Sequence, residues 1–325
     1  MVENAQARLY KNRVSMTNET PASAIEFEGL SKDYGSGTKA LDSLTLSIPR
    51  GEIFGFLGPN GAGKTTTIRL MLDLIRPTAG KVSILGKSCN DGDPSVRESV
   101  GYLPGDLSLY PNMTGRAMVD LFASLRPGRV REEWVRSLCN RLSIDLEAKT
   151  RELSHGNKQK IGIVLALMAE ADVIILDEPT NGLDPLAQRE VLAALREVRD
   201  RGATVFFSSH NLPEVERICD RVAMIREGQL ISVERVADVV SRRHSVLDVT
   251  FGESVPHGAF AGLDGVSVSS LGDDGTALRI EVEGEVDPLI KALASHHVVA
   301  VESMQPSLEE EFLALYQRDA AKEGA

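Results

Sequence analysis

Glu52-Ile53-Phe54-Gly55-Phe56-Leu57-Gly58-Pro59-Asn60-Gly61-Ala62-Gly63-Lys64-Thr65-Thr66 runs from an apolar stretch through a glycine-rich loop into a helical pattern. The apolar part, residues 52–57, reads as a short strand of the kind buried on both faces of a parallel sheet. The loop that follows fits G-x-x-x-x-G-K-[ST], a phosphate-binding pattern. Its chemistry explains its composition: backbone N–H groups must wrap closely around phosphate oxygens, and glycine admits that approach. A helix predicted over 64–75 then offers its first N–H groups and its dipole to an anion. Lys64 has the reach for the β- and γ-phosphates, and the Thr65 hydroxyl is a ligand suited to Mg²⁺.

Outward from this loop, strands are predicted at 24–30, 40–48, 82–85, 100–103, 173–176, 204–208 and 222–226. Helices are predicted at 117–125, 132–142, 157–169, 186–201 (stopped by Gly202) and 213–219. Alternation at this spacing argues for a largely parallel sheet covered by helices. Residues 88–170 are rich in helix and read as an insertion into that sheet. The fold class expected is therefore α/β, with a helical insertion.

Three further segments carry chemistry. Val173-Ile174-Ile175-Leu176 is an apolar strand ending in Asp177 and Glu178. Asp177, at such a strand end, is placed to hold magnesium, and Glu178 to orient and polarise an attacking water. Leu153-Ser154-His155-Gly156-Asn157-Lys158-Gln159 opens a helix about twenty residues earlier; alone, Ser154 would be an ordinary N-cap. His210 follows the strand at 204–208, at the carboxyl end where open α/β sheets gather ligand groups. Tyr34 lies in a loop after the first strand.

Composition bounds the rest. The 325 residues carry 36 Lys+Arg and 47 Asp+Glu, a net charge of −11. Residues 1–243 balance, so the last quarter holds the whole excess, 4 basic against 15 acidic side chains. That break marks a domain boundary. Residues 244–325 alternate apolar and polar positions at Leu247, Val249, Phe251 and again at Leu278, Ile280, Val282. Asp287-Pro288 predicts a helix with Asp287 as N-cap, a strand is predicted at 298–301, and Ser307-Leu308-Glu309-Glu310 is a capping box. This describes a small acidic α+β unit. Residues 1–22 read as a polar, disordered tail without the apolar region of a secretory signal. No stretch is apolar enough to span a bilayer. The three cysteines (Cys89, Cys139, Cys219) are isolated, as suits reduced thiols. An acidic chain without a basic block disfavours a nucleic-acid partner.

The ordered set of motifs over residues 24–230 resembles the ATP-binding subunit of ABC transporters. By that resemblance residues 58–66 (Gly58, Pro59, Asn60, Gly61, Ala62, Gly63, Lys64, Thr65, Thr66) are Walker A, and 173–177 are Walker B. Glu178 is similar to the catalytic glutamate, and 153–159 to the signature motif. Asn181-Gly182-Leu183-Asp184 resembles the D-loop, His210 the switch histidine and Tyr34 the aromatic that stacks on adenine. Leu109-Tyr110-Pro111, the Ser154-His155-Gly156-Asn157 variant and Leu308-Glu309…Phe312 resemble the bacterial drug and antibiotic exporter branch. The resemblance implies a P-loop NTPase core over 23–243, with its helical subdomain at about 88–170 and an accessory domain at 244–325. It also implies ATP and Mg²⁺ as ligands, with Thr65 and Asp177 on the metal and Lys64, Glu178 and His210 in catalysis. Ser154, Gly156 and Asn157 would serve the nucleotide of a second ATP-binding subunit in a head-to-tail homodimer. The pair would dock beneath separate transmembrane permease subunits at the cytoplasmic face of the membrane, through the loop 105–113. Two departures stand out. Tyr102-Leu103-Pro104 is followed by Gly105-Asp106 where the family usually has Gln, and His155 replaces a Gly. The alternatives are a soluble ABC-type ATPase acting in translation or DNA maintenance, and a small-molecule phosphate-loop kinase.

Overall fold

The computed structural model describes residues 23–35, 39–241, 245–260, 262–272, 275–282 and 284–304. The tail expected over 1–22, the capping box at 307–310 and the Leu308-Glu309…Phe312 segment lie outside the described residues. The strands are β1 (Ser23–Asp33), β2 (Lys39–Pro49), β3 (Ile53–Leu57), β4 (Ala79–Ile84), β5 (Lys87–Ser88), β6 (Val100–Leu103), β7 (Val173–Asp177), β8 (Thr204–Ser209), β9 (Arg221–Arg226), β10 (Gln229–Arg235), β11 (Ser245–Phe251), β12 (Val266–Ser270), β13 (Ala277–Val282) and β14 (Val298–Met304).

The central sheet has the order β10-β9-β3-β8-β7-β6. The pairings β9·β3, β3·β8, β8·β7 and β7·β6 are parallel, and β10 joins β9 antiparallel. Every residue of β3, β7 and β8 is buried, which is why their sequences are apolar runs rather than alternations. The two faces nevertheless divide by period two. Ile53, Leu57, Ile174, Leu176, Val205 and Phe207 pack into the core beneath the helices. Phe54, Phe56, Val173, Ile175 and Phe206 pack into a second core, shared with the antiparallel sheet β2-β1-β4-β5. The ring of Phe206 stacks near those of Phe54 and Phe56, at centroid distances of 6.3 and 5.2 Å. Burying each such side chain is worth about 1.5–3 kcal/mol.

Small residues set the closest approaches. A Cβ on Gly55 would lie 2.9 Å from Val215 Cγ1 and 3.0 Å from Cys219 Sγ, so the helix Leu212–Ile218 sits flush on β3. The helix predicted to reach residue 75 stops at Met71. Leu72 caps it, and Asp73 turns the chain with φ 55°, the left-handed conformation that ends many helices. β10 was not predicted. Glu227 and Gly228, both with positive φ (51° and 79°), make the two-residue turn that pairs it with β9.

Within the helix-rich stretch, β6 is an edge strand of the central sheet, and the helices Gly115–Ser124, Glu132–Arg141 and His155–Leu167 come after it. Residues 245–304 build a third sheet, β12-β13-β11-β14, all antiparallel. Its inward face is Leu247, Val249, Phe251, Leu278, Ile280 and Val282, covered by Leu289 and Leu293 of the helix Asp287–Leu293. One detail is corrected here: Val286 is the cap, and Asp287 is already the first helical residue.

Candidate functional site

The parallel strands bring four loops to their carboxyl ends: 58–63 after β3, 178–184 after β7, the loop after β8 that carries His210, and 104–106 after β6. Two glycines of the first loop are demanded by packing. A Cβ on Gly58 would lie 2.3 Å from the Ile225 carbonyl oxygen, and one on Gly63 2.5 Å from that of Ala40. Gly63, with φ 110°, is also the N-cap of the helix Lys64–Met71. Gly61 has φ 82° and open space around it, and Ala62 is buried. Pro59 and Asn60 are exposed at the loop's tip.

Lys64 is buried and folds back over its own loop, donating to the carbonyl oxygens of Gly58 (2.6 Å) and Pro59 (3.2 Å). Its Nζ lies 3.5 Å from Glu178 Oε1. Glu178 Oε1 in turn lies 3.1 Å from Nδ1 of His210, a half-exposed side chain. The Thr65 hydroxyl donates to Asp177 Oδ2 at 2.9 Å, and Asp177 is 2% exposed. Thr66 is half-buried in the same first turn. Lys64, Thr65, Asp177, Glu178 and His210 are thus one cluster, although their sequence positions span three strands.

Thr65 and Asp177 fit a magnesium ion. They are oxygen donors on adjoining elements whose atoms already meet at 2.9 Å, and Mg²⁺ takes one or two protein oxygens, filling its other positions with phosphate and water. Gly105 lies beside them: a Cβ there would sit 3.1 Å from Asp177 Oδ2. Asp106 is exposed. The Tyr102 phenol is pushed up to about 12 by burial and by the nearby Asp177 charge.

Tyr34 is exposed just past β1, with Lys32 Nζ 5.2 Å from its ring centre. The β1–β2 hairpin that bears it returns through Ala40, the residue packed on Gly63. Ser154 caps the helix His155–Leu167 by accepting from the Asn157 N–H at 3.3 Å. Among the described residues no hydrogen bond joins Ser154, Gly156 or Asn157 to the phosphate loop. Gly156 and His155 neighbour the 178–184 loop instead. A Cβ on Gly156 would meet the Gly182 carbonyl oxygen at 2.8 Å, and His155 Cδ2 occupies the space a Cβ on Gly182 would take.

Two more residues hold the cluster: Ser208, which was not singled out from sequence, and Gln159, which the sequence offered only as the last residue of the 153–159 motif. Ser208, fully buried, donates to Asp177 Oδ1 at 2.6 Å and accepts the Glu178 N–H at 3.2 Å. Gln159, also buried, donates to the carbonyl oxygens of Glu178 (3.4 Å) and Pro179 (3.2 Å). Glu178 has φ 49°, a costly conformation for a non-glycine residue that persists where neighbours over-determine it. Ser208 and Gln159 supply that constraint from two elements. Their sequence signal was faint: a polar residue closing an apolar strand, and a Gln on the buried side of a helix.

Known proteins share this architecture. Residues 41–181 match the ABC transporter family. A Synechocystis ABC transporter ATP-binding protein is 32% identical over 90% of this chain and 84% of its own length. The bacitracin transport ATP-binding protein BcrA of Bacillus licheniformis is 31% identical over 90% of this chain and 96% of its own. A solved ATP-binding subunit of an ABC transporter superposes with a TM-score of 0.61 at 31% identity, over 67% of this chain and 92% of that one. These relatives set aside a role in translation or DNA maintenance. The chain belongs to the ABC transporter family, as one of its ATP-binding subunits.

Proposed function

We propose that this subunit hydrolyses ATP at the Lys64–Glu178–His210 cluster to drive export of a drug or antibiotic through separate membrane subunits. The observation that carries the chemistry is the Glu178 carboxylate, held 3.5 Å from Lys64 Nζ and 3.1 Å from His210 Nδ1. In this reading Asn60, Gly61, Ala62 and Gly63 give backbone N–H groups to the phosphates, joined by Lys64, Thr65 and Thr66, while Gly58 and Pro59, which has no N–H, shape the loop. Lys64 leaves its own carbonyl partners to neutralise charge on the transferring group. Thr65 and Asp177 hold Mg²⁺, which when bound offsets the charge of the phosphate oxygens. Glu178 orients and polarises the attacking water, a role worth about 10²–10⁴ in rate, and His210 contacts the γ-phosphate. Tyr34 stacks on the adenine.

Ser154, Gly156 and Asn157 would complete the site of a second, identical subunit. Their exposed or half-exposed positions, unbonded to their own phosphate loop among the described residues, support this. Export of an antibiotic-class substrate is supported by the bacitracin relative. Among the described residues no helix is long and apolar enough to cross a membrane. The pathway would therefore belong to permease partners, and the subunit to the cytoplasmic face beneath them. The division into an ATPase domain over 23–243, a helical subdomain and an acidic accessory domain over 244–325 is supported by the separate core of the third sheet.

Glu178→Gln tests the assignment. It should abolish steady-state hydrolysis while ATP binding persists and a dimer accumulates with ATP. Hydrolysis at the wild-type rate in that variant would remove Glu178 from the mechanism.

A further inference from the structure

We infer that Glu214 is a positioning residue that sets the distance between Glu178 and His210. Glu214 lies in the first turn of the helix Leu212–Ile218 and is 6% exposed. Among the described residues no salt bridge reaches it. Its carboxylate is satisfied by hydrogen-bond donors from two different loops. Oε2 accepts from Thr180 Oγ1 at 2.6 Å and Oε1 from Asn211 Nδ2 at 3.3 Å; Ser209 Oγ, whose hydroxyl also faces the Asn211 carbonyl oxygen at 3.2 Å, lies 3.4 Å from Oε2. Thr180 stands two residues after Glu178, while Ser209 and Asn211 flank His210 on either side.

A buried carboxylate is costly unless its lone pairs are filled, and an ionised one only accepts. Thr180 from one loop and Asn211 from the other must therefore both reach this carboxylate. The two loops cannot drift apart without leaving that carboxylate short of a partner. An apolar residue of similar size would fill the space without fixing the loops to each other. The 3.1 Å separation of His210 Nδ1 from Glu178 Oε1 is the geometry this tie preserves, and misplacement of reacting groups by about 1 Å can cost ~10²-fold in rate. Glu214 touches neither nucleotide nor reacting atoms in this account, and it acts through the two loops.

The inference rests on the proposed roles of Glu178 and His210, so the test carries Glu178→Gln alongside. Steady-state ATPase of the full chain is measured for Glu214→Leu, Glu214→Gln and Thr180→Val. Glu214→Leu should lower kcat by about 10- to 100-fold with KM for ATP changed by less than about 3-fold, the pattern of lost transition-state geometry. Glu214→Gln, which still presents an acceptor to Thr180, should recover kcat to within about 3-fold of wild type. Thr180→Val should lower kcat on its own but not further in the Glu214→Leu background. If Glu214→Leu does not fold, Thr180→Val combined with Asn211→Ala removes both of these donors and should show the same split between kcat and KM. Unchanged kcat in these variants, or a loss of kcat that Gln does not recover, overturns the inference while leaving the site assignment intact. Wild-type activity in Glu178→Gln overturns the site assignment instead.

Discussion

Replacing Ser208 with Ala removes a single oxygen from the interior, and the structure says what that oxygen does. Ser208 Oγ is one of two hydroxyls donating to the Asp177 carboxylate, at 2.6 Å; Thr65 supplies the other at 2.9 Å. Both Ser208 and Asp177 are buried, so water cannot replace the lost donor. A hydrogen bond to a charged group is worth about 1.5–3 kcal/mol. The second partner of Ser208 Oγ, the Glu178 N–H, keeps the Ser208 carbonyl oxygen at 3.2 Å and should add little. The expected cost is therefore about 2–3 kcal/mol, or a fall of about 4–12 °C in the unfolding midpoint for a domain of this size. It should be read by thermal unfolding of the metal-free protein. The cost should come through Asp177: in an Asp177→Ala background, Ser208→Ala should cost less than about 0.5 kcal/mol, because no carboxylate is left to strand. ATPase titrated with Mg²⁺ should need a higher metal concentration for half-maximal rate in Ser208→Ala, since Asp177 loses the partner that aims it. A full stability cost persisting in the Asp177→Ala background would refute this account of Ser208.

Other outcomes follow from specific contacts. Gly105→Ala places a Cβ 3.1 Å from Asp177 Oδ2, and that carboxylate is held by two hydroxyls. Overpacking of about 1–3 kcal/mol should weaken Mg²⁺-dependent ATPase, and Gly105→Gln, although it restores the residue usual in the family, should lower the rate too; a rise in rate would contradict the packing argument. Burial, with Asp73 nearby, pushes the Cys89 thiol up to about 12, and burial raises Cys139 and, more strongly, Cys219. At pH 8 only about one Cys89 in 10⁴ is thiolate, so a thiol reagent should label the native chain at least about 100-fold more slowly than the unfolded one. In the third sheet, Arg279 holds Asp248 by two 2.8 Å hydrogen bonds, which keep its carboxyl below the usual range. A depressed acid stabilises above its unfolded pKa of about 3.9 and loses that contribution as pH falls through the lower folded value. A double-mutant cycle on Asp248 and Arg279 should give about 1 kcal/mol at neutral pH, vanishing in acid.

The readability of the elements followed their burial. β3, β7 and β8 were visible because strands covered on both faces are apolar throughout, and β6 was visible for the same reason. β10 and β12 were missed because neither holds a fully buried residue: β12 alternates half-buried and exposed positions and β10 is mainly half-exposed. A strand whose apolar positions are only half-buried, such as Val266 and Val268 in β12 or Leu230 and Val233 in β10, leaves a short, weak pattern in the sequence. The early stop of the first long helix turned on Asp73, whose positive φ is a backbone choice that composition does not announce. In the site, residues whose own chemistry demands a pattern could be named in advance: the glycines of the 58–63 loop, Lys64, Asp177 with Glu178, and His210. Ser208, Thr180 and Glu214 could not, and Gln159 stood out only as part of its motif, because each works through a partner that is distant in the chain.

The sequence by itself determined the class of machine. A phosphate loop between a buried strand and a helix, followed in order by Ser154–Gln159, Asp177-Glu178 and His210, has few physical readings, since each motif is dictated by local chemistry. It also placed the acidic excess in residues 244–325, where charge and hydrophobic period change together. Only the tertiary structure decided how those motifs meet. Parallel pairing of β3, β8 and β7 is what sets Lys64 3.5 Å and His210 3.1 Å from one glutamate oxygen. The hydroxyls and amides that hold the cluster in place come from positions up to 112 residues apart, as in the Thr65–Asp177 bond. Contacts of that kind depend on where strands end in space, and no local pattern of residues encodes it.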